Sequence, residues 1–171
     1  MNLNIRAAQK SDLDALLVFS KRTFVATYGH LNTPENMADY IKTNFDKTAF
    51  AKEFESPSND FTLAFVGEQL VAYTKTRTDH PQDLLDDYRQ IELERIYVDE
   101  AYKGQKIGQI MLEHCLDAAR DEGFEVLWLG VWSKNEAALR FYKKMNFEQF
   151  DTHLFQLGDD LQTDYLMKIS L

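Results

Sequence analysis

The spacing of hydrophobic positions changes twice along the chain. Leu13, Leu16, Leu17 and Phe24 recur at helical intervals, with Ser11 and Asp12 ahead of them and Gly29 after, which predicts a first helix. Thr33-Pro34-Glu35 sets a cap residue before a proline suited to a first turn and opens a second helix through Met37, Ile41 and Phe45. A third, short helix is expected over 48–55. The period then falls toward two. Residues 61–66 and 70–77, separated by Gly67-Glu68-Gln69, predict a hairpin, and 91–98 a further strand. From Ile107 the helical period returns, with Leu112, Cys115, Leu116 and Ala119 in one stripe and Gly123 as its stop.

The stretch "EVLWLGVW", 125–132, is nearly continuous in apolar residues, as in a strand covered on both faces. A last helix carries Ala138, Phe141, Tyr142 and Met145 on one side. Its start is open between a Ser133/Glu136 capping box and Asn135 as the cap. Asn146 stands where helices often end in the left-handed conformation. Strands over 147–157 and 162–169, joined by Gly158-Asp159-Asp160, complete the pattern.

The strand-turn-helix-strand-helix order of 91–145 implies parallel strands with helical crossovers, while the hairpins add antiparallel neighbours. The expectation is an α/β (α+β) fold, a mixed sheet with helices on both faces. At 171 residues, 44% hydrophobic and 27% charged, the chain is expected to form a single domain, 1–171, with a proper core. One cysteine excludes an internal disulfide framework, and no run has the length of a leader or a membrane span, so a cytoplasmic protein is expected. The net charge of -9 speaks against nucleic acid, which calls for a basic stripe. Residues 79–100 concentrate the acid, with eight carboxylates against Arg89 and Arg95. Such a segment is either a solvated loop or a field that steers a small cation.

Between the 91–98 strand and the helix that follows lies "YKGQKIGQ", 102–109. Amides at a helix N-terminus are unpaired donors at the positive end of the dipole and hold phosphate without basic side chains. Gly104 suits a tight turn and Gly108 a close approach of backbone to ligand. No Gly-Lys-Ser/Thr follows as in a Walker loop, and the third glycine of a dinucleotide fingerprint is missing. Taken alone, the segment is a glycine turn as readily as a phosphate cradle.

Its surroundings add to this. "LERIYVDEAYKGQKIGQIML", followed by "WLGVWSKNEAALRFYKKMNF", resembles the acetyl-coenzyme A core of the GCN5-related N-acetyltransferases (GNATs). Lys103 takes the Gln/Arg place of the family signature, Lys106 the place of its first Gly, Gly108 keeps the second, and Asn146 replaces the Gly of Gly-Phe. "TFVATYGHLNTPENMADYI", "ELERIYV", "WLGVW" and "TDYLMK" further resemble bacterial spermidine/spermine N-acetyltransferases. The resemblance implies the GNAT-type three-layer fold with a sheet of about seven strands. It also implies acetyl-coenzyme A as co-substrate, no metal, and a small cationic amine as acceptor.

Residue by residue, the resemblance implies that Ile96, Tyr97 and Val98 pair with the pantetheine arm, an amide such as that of Val98 also polarising the thioester carbonyl. Amides of Lys103, Gly104, Gln105, Lys106, Ile107, Gly108 and Gln109 would hold the pyrophosphate, with Asn135 near the pantetheine and Lys144 toward the 3′-phosphate. Tyr142 would be the acid for the leaving thiolate. An ammonium of pKa about 10 must first lose a proton. Glu94, closer to the expected acetyl position, is the preferred base, with Glu92 two residues away as substrate-side alternative. Tyr28, Glu35 and Asp39 on the early helices would form the acceptor wall, Glu35 and Asp39 being one turn apart.

Cys115 sits on an apolar stripe and is expected to be a buried, inert thiol. His30, His80, His114 and His153 have no zinc spacing, and Trp128 and Trp132 are expected in the core, with Trp132 near the cleft. A protein N-terminus, a lysine or an amine drug is an alternative acceptor, and a non-catalytic acyl-coenzyme A sensor an alternative function. No membrane partner is expected, and a homodimer is compatible with the sequence.

Overall fold

A computed structural model describes residues 2–157 and 160–171, with the side chains of Phe155 and Leu157 left aside. Seven strands form one sheet: β1 (Leu3–Ala7), β2 (Asn59–Val66), β3 (Gln69–Arg77), β4 (Gln90–Val98), β5 (Val126–Trp132), β6 (Glu148–Leu157) and β7 (Asp160–Ser170). Their order is β1-β2-β3-β4-β5-β7-β6. Every neighbouring pair is antiparallel except β4 and β5, which run parallel. That one parallel pair needs a crossover, and α4 (Ile107–Asp121) supplies it.

Helices α1 (Leu13–Tyr28), α2 (Pro34–Asn44) and α3 (Lys47–Phe54) precede the hairpin, and α5 (Glu136–Lys144) follows β5. Leu16 and Phe19 of α1 and Phe50 of α3 pack with Phe61, Leu63 and Tyr73 on one face of the sheet. On the other face Met111 of α4 packs on Ala64, Val71 and Ala72, while Leu112 and Leu116 of α4 and Tyr142 of α5 join Leu93, Leu127 and Leu129. Three layers result, because each amphipathic helix has one stripe to bury and the central strands have two.

The expected mixed sheet and its flanking helices are present. Thr33 Oγ1 accepts from the Asn36 amide at 3.2 Å and Pro34 occupies the first turn of α2. Asn135 proves to be the cap of α5, its Oδ1 accepting from the Ala138 amide at 3.2 Å. Asn146 adopts φ 66° and Gly123 φ 80°, both left-handed helix ends. Strand β1 was absent from the sequence expectation: five residues at a sheet edge carry too short an alternation to stand out. Of the expected Gly158-Asp159-Asp160 connection, Gly158 and Asp159 lie outside the described residues. Among the described residues, no helix is long and apolar enough to cross a membrane.

Candidate active site

β4 and β5 pair only where Gln90–Glu92 meets Val126–Trp128. Beyond that point β5 stays with β7 through Trp132, whereas β4 stays with β3 through Val98. The two strands part, and residues 93–98, held by β3 on one side, have no strand partner on the gap side among the described residues. Such an edge offers backbone donors and acceptors to an extended ligand arm.

A cleft of ≈ 560 Å³ follows this edge to the start of α4. Ile96, Tyr97 and Val98 line it, as do Lys103, Gly104, Lys106, Ile107, Gly108, Gln109, Asn135, Tyr142 and Lys144. Gln105 is not part of the lining; its Nε2 lies 3.4 Å from the Ala101 carbonyl. Among the described residues no side chain caps α4, so the first-turn amides open onto the cleft. Lys106 reaches the position ahead of that turn by adopting φ 63°, and Gly104 precedes it at φ 77°. A Cβ on Gly108 would stand 3.6 Å from Val98 Cγ2 and 4.0 Å from Phe141 Cζ, filling the groove between them. An open strand edge, a free helix N-terminus and a groove kept clear by glycine together fit a pantetheine arm and its pyrophosphate.

Asp99 fixes the corner that leads into this loop. Its carboxylate accepts from the Ala101 amide at 3.0 Å and from Arg22 of α1 at 2.6 Å. Burial works against its ionisation, but those bonds outweigh burial and hold its pKa below the usual value.

A second cleft, ≈ 310 Å³, opens on the α1–α2 side of the same gap. Phe24, Tyr28, Tyr40, Phe45, Tyr73, Tyr97, Trp128 and Trp132 give it aromatic walls. Phe24 and Tyr40 stack at 4.6 Å, and Tyr73 and Tyr97 at 5.7 Å. Glu92, Glu94 and Asp164 bring carboxylates to it, and Arg77, His80, Arg95 and His153 also reach it. Tyr28, Glu94, Arg95, Tyr97 and Gly130 line both clefts and mark where the two meet.

A β-bulge explains how β4 feeds both. Lys75 pairs with Arg95 and Thr76 with Leu93, leaving Glu94 as the extra residue. The alternation shifts there: Leu93, Ile96 and Val98 pack toward α4, while Tyr97 joins the aromatic side. Strict alternation would have sent Tyr97 toward α4 with Leu93.

Glu94 is enclosed by cations: it pairs with Lys75, with Arg95 at 3.1 Å and with Arg77 at 3.3 Å. Lys75 and Arg95 also pair with Glu53 of α3. Burial pushes the Glu94 carboxyl up, yet Arg95, Lys75 and Arg77 together hold it below the usual carboxylate range. Glu92 accepts from Arg77 at 2.6 Å and lies 2.9 Å from His80 Nδ1. Asp164 differs from both. Its backbone pairs with Trp132 and His153 in the sheet, but among the described residues no side-chain hydrogen bond or ion pair engages its carboxylate; burial raises its pKa, and His153 offsets this only in part.

Tyr142 is buried against Phe141 and Phe147 and lines the larger cleft. Burial, then the neighbouring Tyr28 and Cys115, push its pKa well above the ordinary tyrosine value, so it stays protonated at neutral pH. Cys115 faces the core, its thiol 3.4 Å from Thr74 Oγ1, with burial raising its pKa to about 11. Lys103 pairs with Glu100 at 2.6 Å. Glu35 and Asp39 are exposed on α2 and line neither cleft, so the structure does not bring them to the other acceptor-side residues. Sequence reasoning missed Asp164, His153 and the cation group of Lys75, Arg77 and Arg95. Their only sequence signal is charge within apolar strands. Among the described residues no group of three or more His, Cys, Asp or Glu could hold a metal ion.

The profile of the acetyltransferase (GNAT) family matches residues 24–147. An uncharacterized N-acetyltransferase in the pepI 3′ region of Lactobacillus delbrueckii subsp. lactis is 32% identical over 169 residues, 99% of this chain and 98% of that protein. The N-alpha-acetyltransferase RimI of Mycobacterium tuberculosis is 34% identical over 102 residues, 59% of this chain and 60% of its own. Among solved structures, the PaiA N-acetyltransferase of Thermoplasma acidophilum, in complex with coenzyme A, shares the fold with a TM-score of 0.82 at 22% identity, covering 100% of both chains.

Proposed function

The chain belongs to the GNAT family of acetyltransferases, and from that premise we propose that it acetylates the primary amine of a small cationic acceptor, a polyamine such as spermidine or spermine or a compound of that class. Acetyl-coenzyme A supplies the thioester whose acyl carbon the amine attacks. The observation that carries this reading is the meeting of the two clefts at Tyr28, Glu94, Arg95, Tyr97 and Gly130. Amine and thioester held on either side of that junction react in one ternary complex, which removes most of the entropy of encounter.

Around the donor, the edge at Ile96–Val98 pairs with the pantetheine arm, and amides of 103–109 hold the pyrophosphate. Lys103 and Lys144 offer charge to phosphates, and Asn135, whose side chain caps α5 and hydrogen-bonds Tyr28, borders the pantetheine. As the nitrogen lone pair forms the C–N bond, the C–S bond breaks and its electron pair goes to sulfur. Tyr142 donates its proton to that sulfur and regains one from the nitrogen. A tyrosine whose proton is held firmly in the free protein suits donation only at the moment thiolate appears.

The small volume of the acceptor cleft, at the low end for ligand pockets, supports a small molecule over a folded or extended protein segment. Its aromatic faces and carboxylates support a cation. Thiol release from acetyl-coenzyme A is measured with spermidine, spermine, diamines, monoamines, amino acids and a peptide beginning with alanine. Polyamines and diamines are expected to give the highest kcat/KM. Preference for the peptide would transfer the reading to protein N-termini. Coenzyme A binding without release for any acceptor would leave a sensor.

A further inference from the structure

We infer that Asp164, on β7, is the carboxylate that takes the reacting ammonium of the acceptor and receives its proton; this rests on the acceptor reading above. Three carboxylates line the acceptor cleft, and two are already committed. Glu94 bears three cation partners and Glu92 one, besides His80. An arriving ammonium would have to displace an arginine or lysine from either. Asp164 has no such partner among the described residues, so it can pair with a cation without losing one.

Its position serves the same purpose. A Cβ on Gly130 would stand 3.7 Å from Asp164 Oδ2, and Gly130 is one of the residues shared by both clefts. The carboxylate thus borders the junction, and the missing side chain at 130 leaves the space in front of it clear. Tyr28, also shared, is close enough to feel the Asp164 charge. The proton step balances: R–NH3⁺ and the carboxylate become R–NH2 and the carboxylic acid, freeing the nitrogen lone pair for attack. After transfer the carboxylic acid returns its proton to water. A carboxyl raised by burial is a stronger base than Glu94, which its cations hold low. The titratable and charged groups around Asp164 are His153 on β6, Tyr28 on α1 and, across the cleft, Arg77, His80, Glu92, Glu94 and Arg95.

The test compares wild type, Asp164→Asn and Glu94→Gln in the full chain. Binding of an unreactive tertiary diamine is measured by calorimetry without acetyl donor, and the pH profile of kcat/KM with the best amine of the panel. In D164N we expect at least tenfold weaker diamine binding, a loss of about 100-fold or more in kcat/KM, and no acidic limb. The KM for acetyl-coenzyme A stays within threefold, and the melting temperature is unchanged or higher, since a partly buried unpaired carboxylate is removed. Diamine binding and turnover within twofold of wild type overturn the inference, as does an acidic limb lost in E94Q and kept in D164N. If D164N does not fold, Gly130→Ala places a methyl group at ordinary contact distance from Asp164 Oδ2. It is expected to weaken diamine binding, and unchanged binding overturns the inference. Failure of wild type to acetylate any amine would instead remove the acceptor reading on which it depends.

Discussion

Burial decides what Tyr142 can do. A solvent-exposed phenol would share its proton with water at high pH, whereas this one, packed between Phe141 and Phe147, keeps it. If it is the proton donor, Tyr142→Phe lowers kcat about 100-fold while coenzyme A affinity stays within a few-fold. Single-turnover thiol release and a coenzyme A titration separate the two quantities. Unchanged turnover would remove Tyr142 from the chemistry and leave it as packing. The same medium acts oppositely on Cys115, where burial suppresses the thiolate and with it nucleophilicity. The helical stripe carrying Cys115 was readable from sequence. The enclosure of Glu94 was not, because Lys75 and Arg77 reach it only through the pairing of β3 with β4, and the adjacent Arg95 folds back onto it at the bulge.

At the scale of elements, the loop into α4 turns on Lys106. Its φ of 63° is a conformation glycine takes freely and lysine takes at a cost of about 1–2 kcal/mol. Lys106→Gly relieves that cost but gives the unfolded chain more freedom, worth about 0.4–1 kcal/mol in the other direction. The net expectation is a stability equal to wild type or up to about 1.6 kcal/mol higher, read from urea unfolding midpoints. Coenzyme A affinity should hold within a few-fold if the first-turn amides of α4, which no side chain caps among the described residues, carry the binding. A loss beyond tenfold would show that the side chain grips a phosphate. The turn itself was legible in "YKGQKIGQ", whereas the bulge in β4 was not. A bulge is a disagreement between two strands' registers, and a single strand's pattern contains no record of its partner's.

For the whole molecule, the carboxylates that join elements set the response to acid. Asp12, bonded to Arg6 at 2.7 Å, Asp99, bonded to Arg22, and Glu94 all titrate below their ordinary values in the fold. Groups with depressed folded pKa contribute stability above their unfolded pKa, about 4, and lose it as pH falls through the lower folded value. The melting temperature is therefore expected to be flat from neutrality to about pH 5 and to drop steeply below about pH 4. A melting temperature that did not fall below about pH 4 would contradict this. The pairing also revises the picture of an acidic segment: Glu92, Glu94 and Asp99 are ion-paired, so any steering field rests on the loop carboxylates of Asp79, Asp83, Asp86 and Asp87.

The sequence by itself determined the five α-helices, six of the seven strands, the mixed sheet and the turn into α4. Those depend on local period, caps and turn residues, all of which lie within a few positions of one another. Tertiary structure alone decided the parting of β4 from β5, the shift of face at Glu94, the neutralisation of two acceptor-side carboxylates and the exclusion of Glu35 and Asp39 from the cleft. It also left the Asp164 carboxylate, beside Gly130, without an ion-pair partner among the described residues. These follow from which strands become neighbours and at what register, and from the low dielectric that neighbours create, so residues far apart in the chain settle one another's charge.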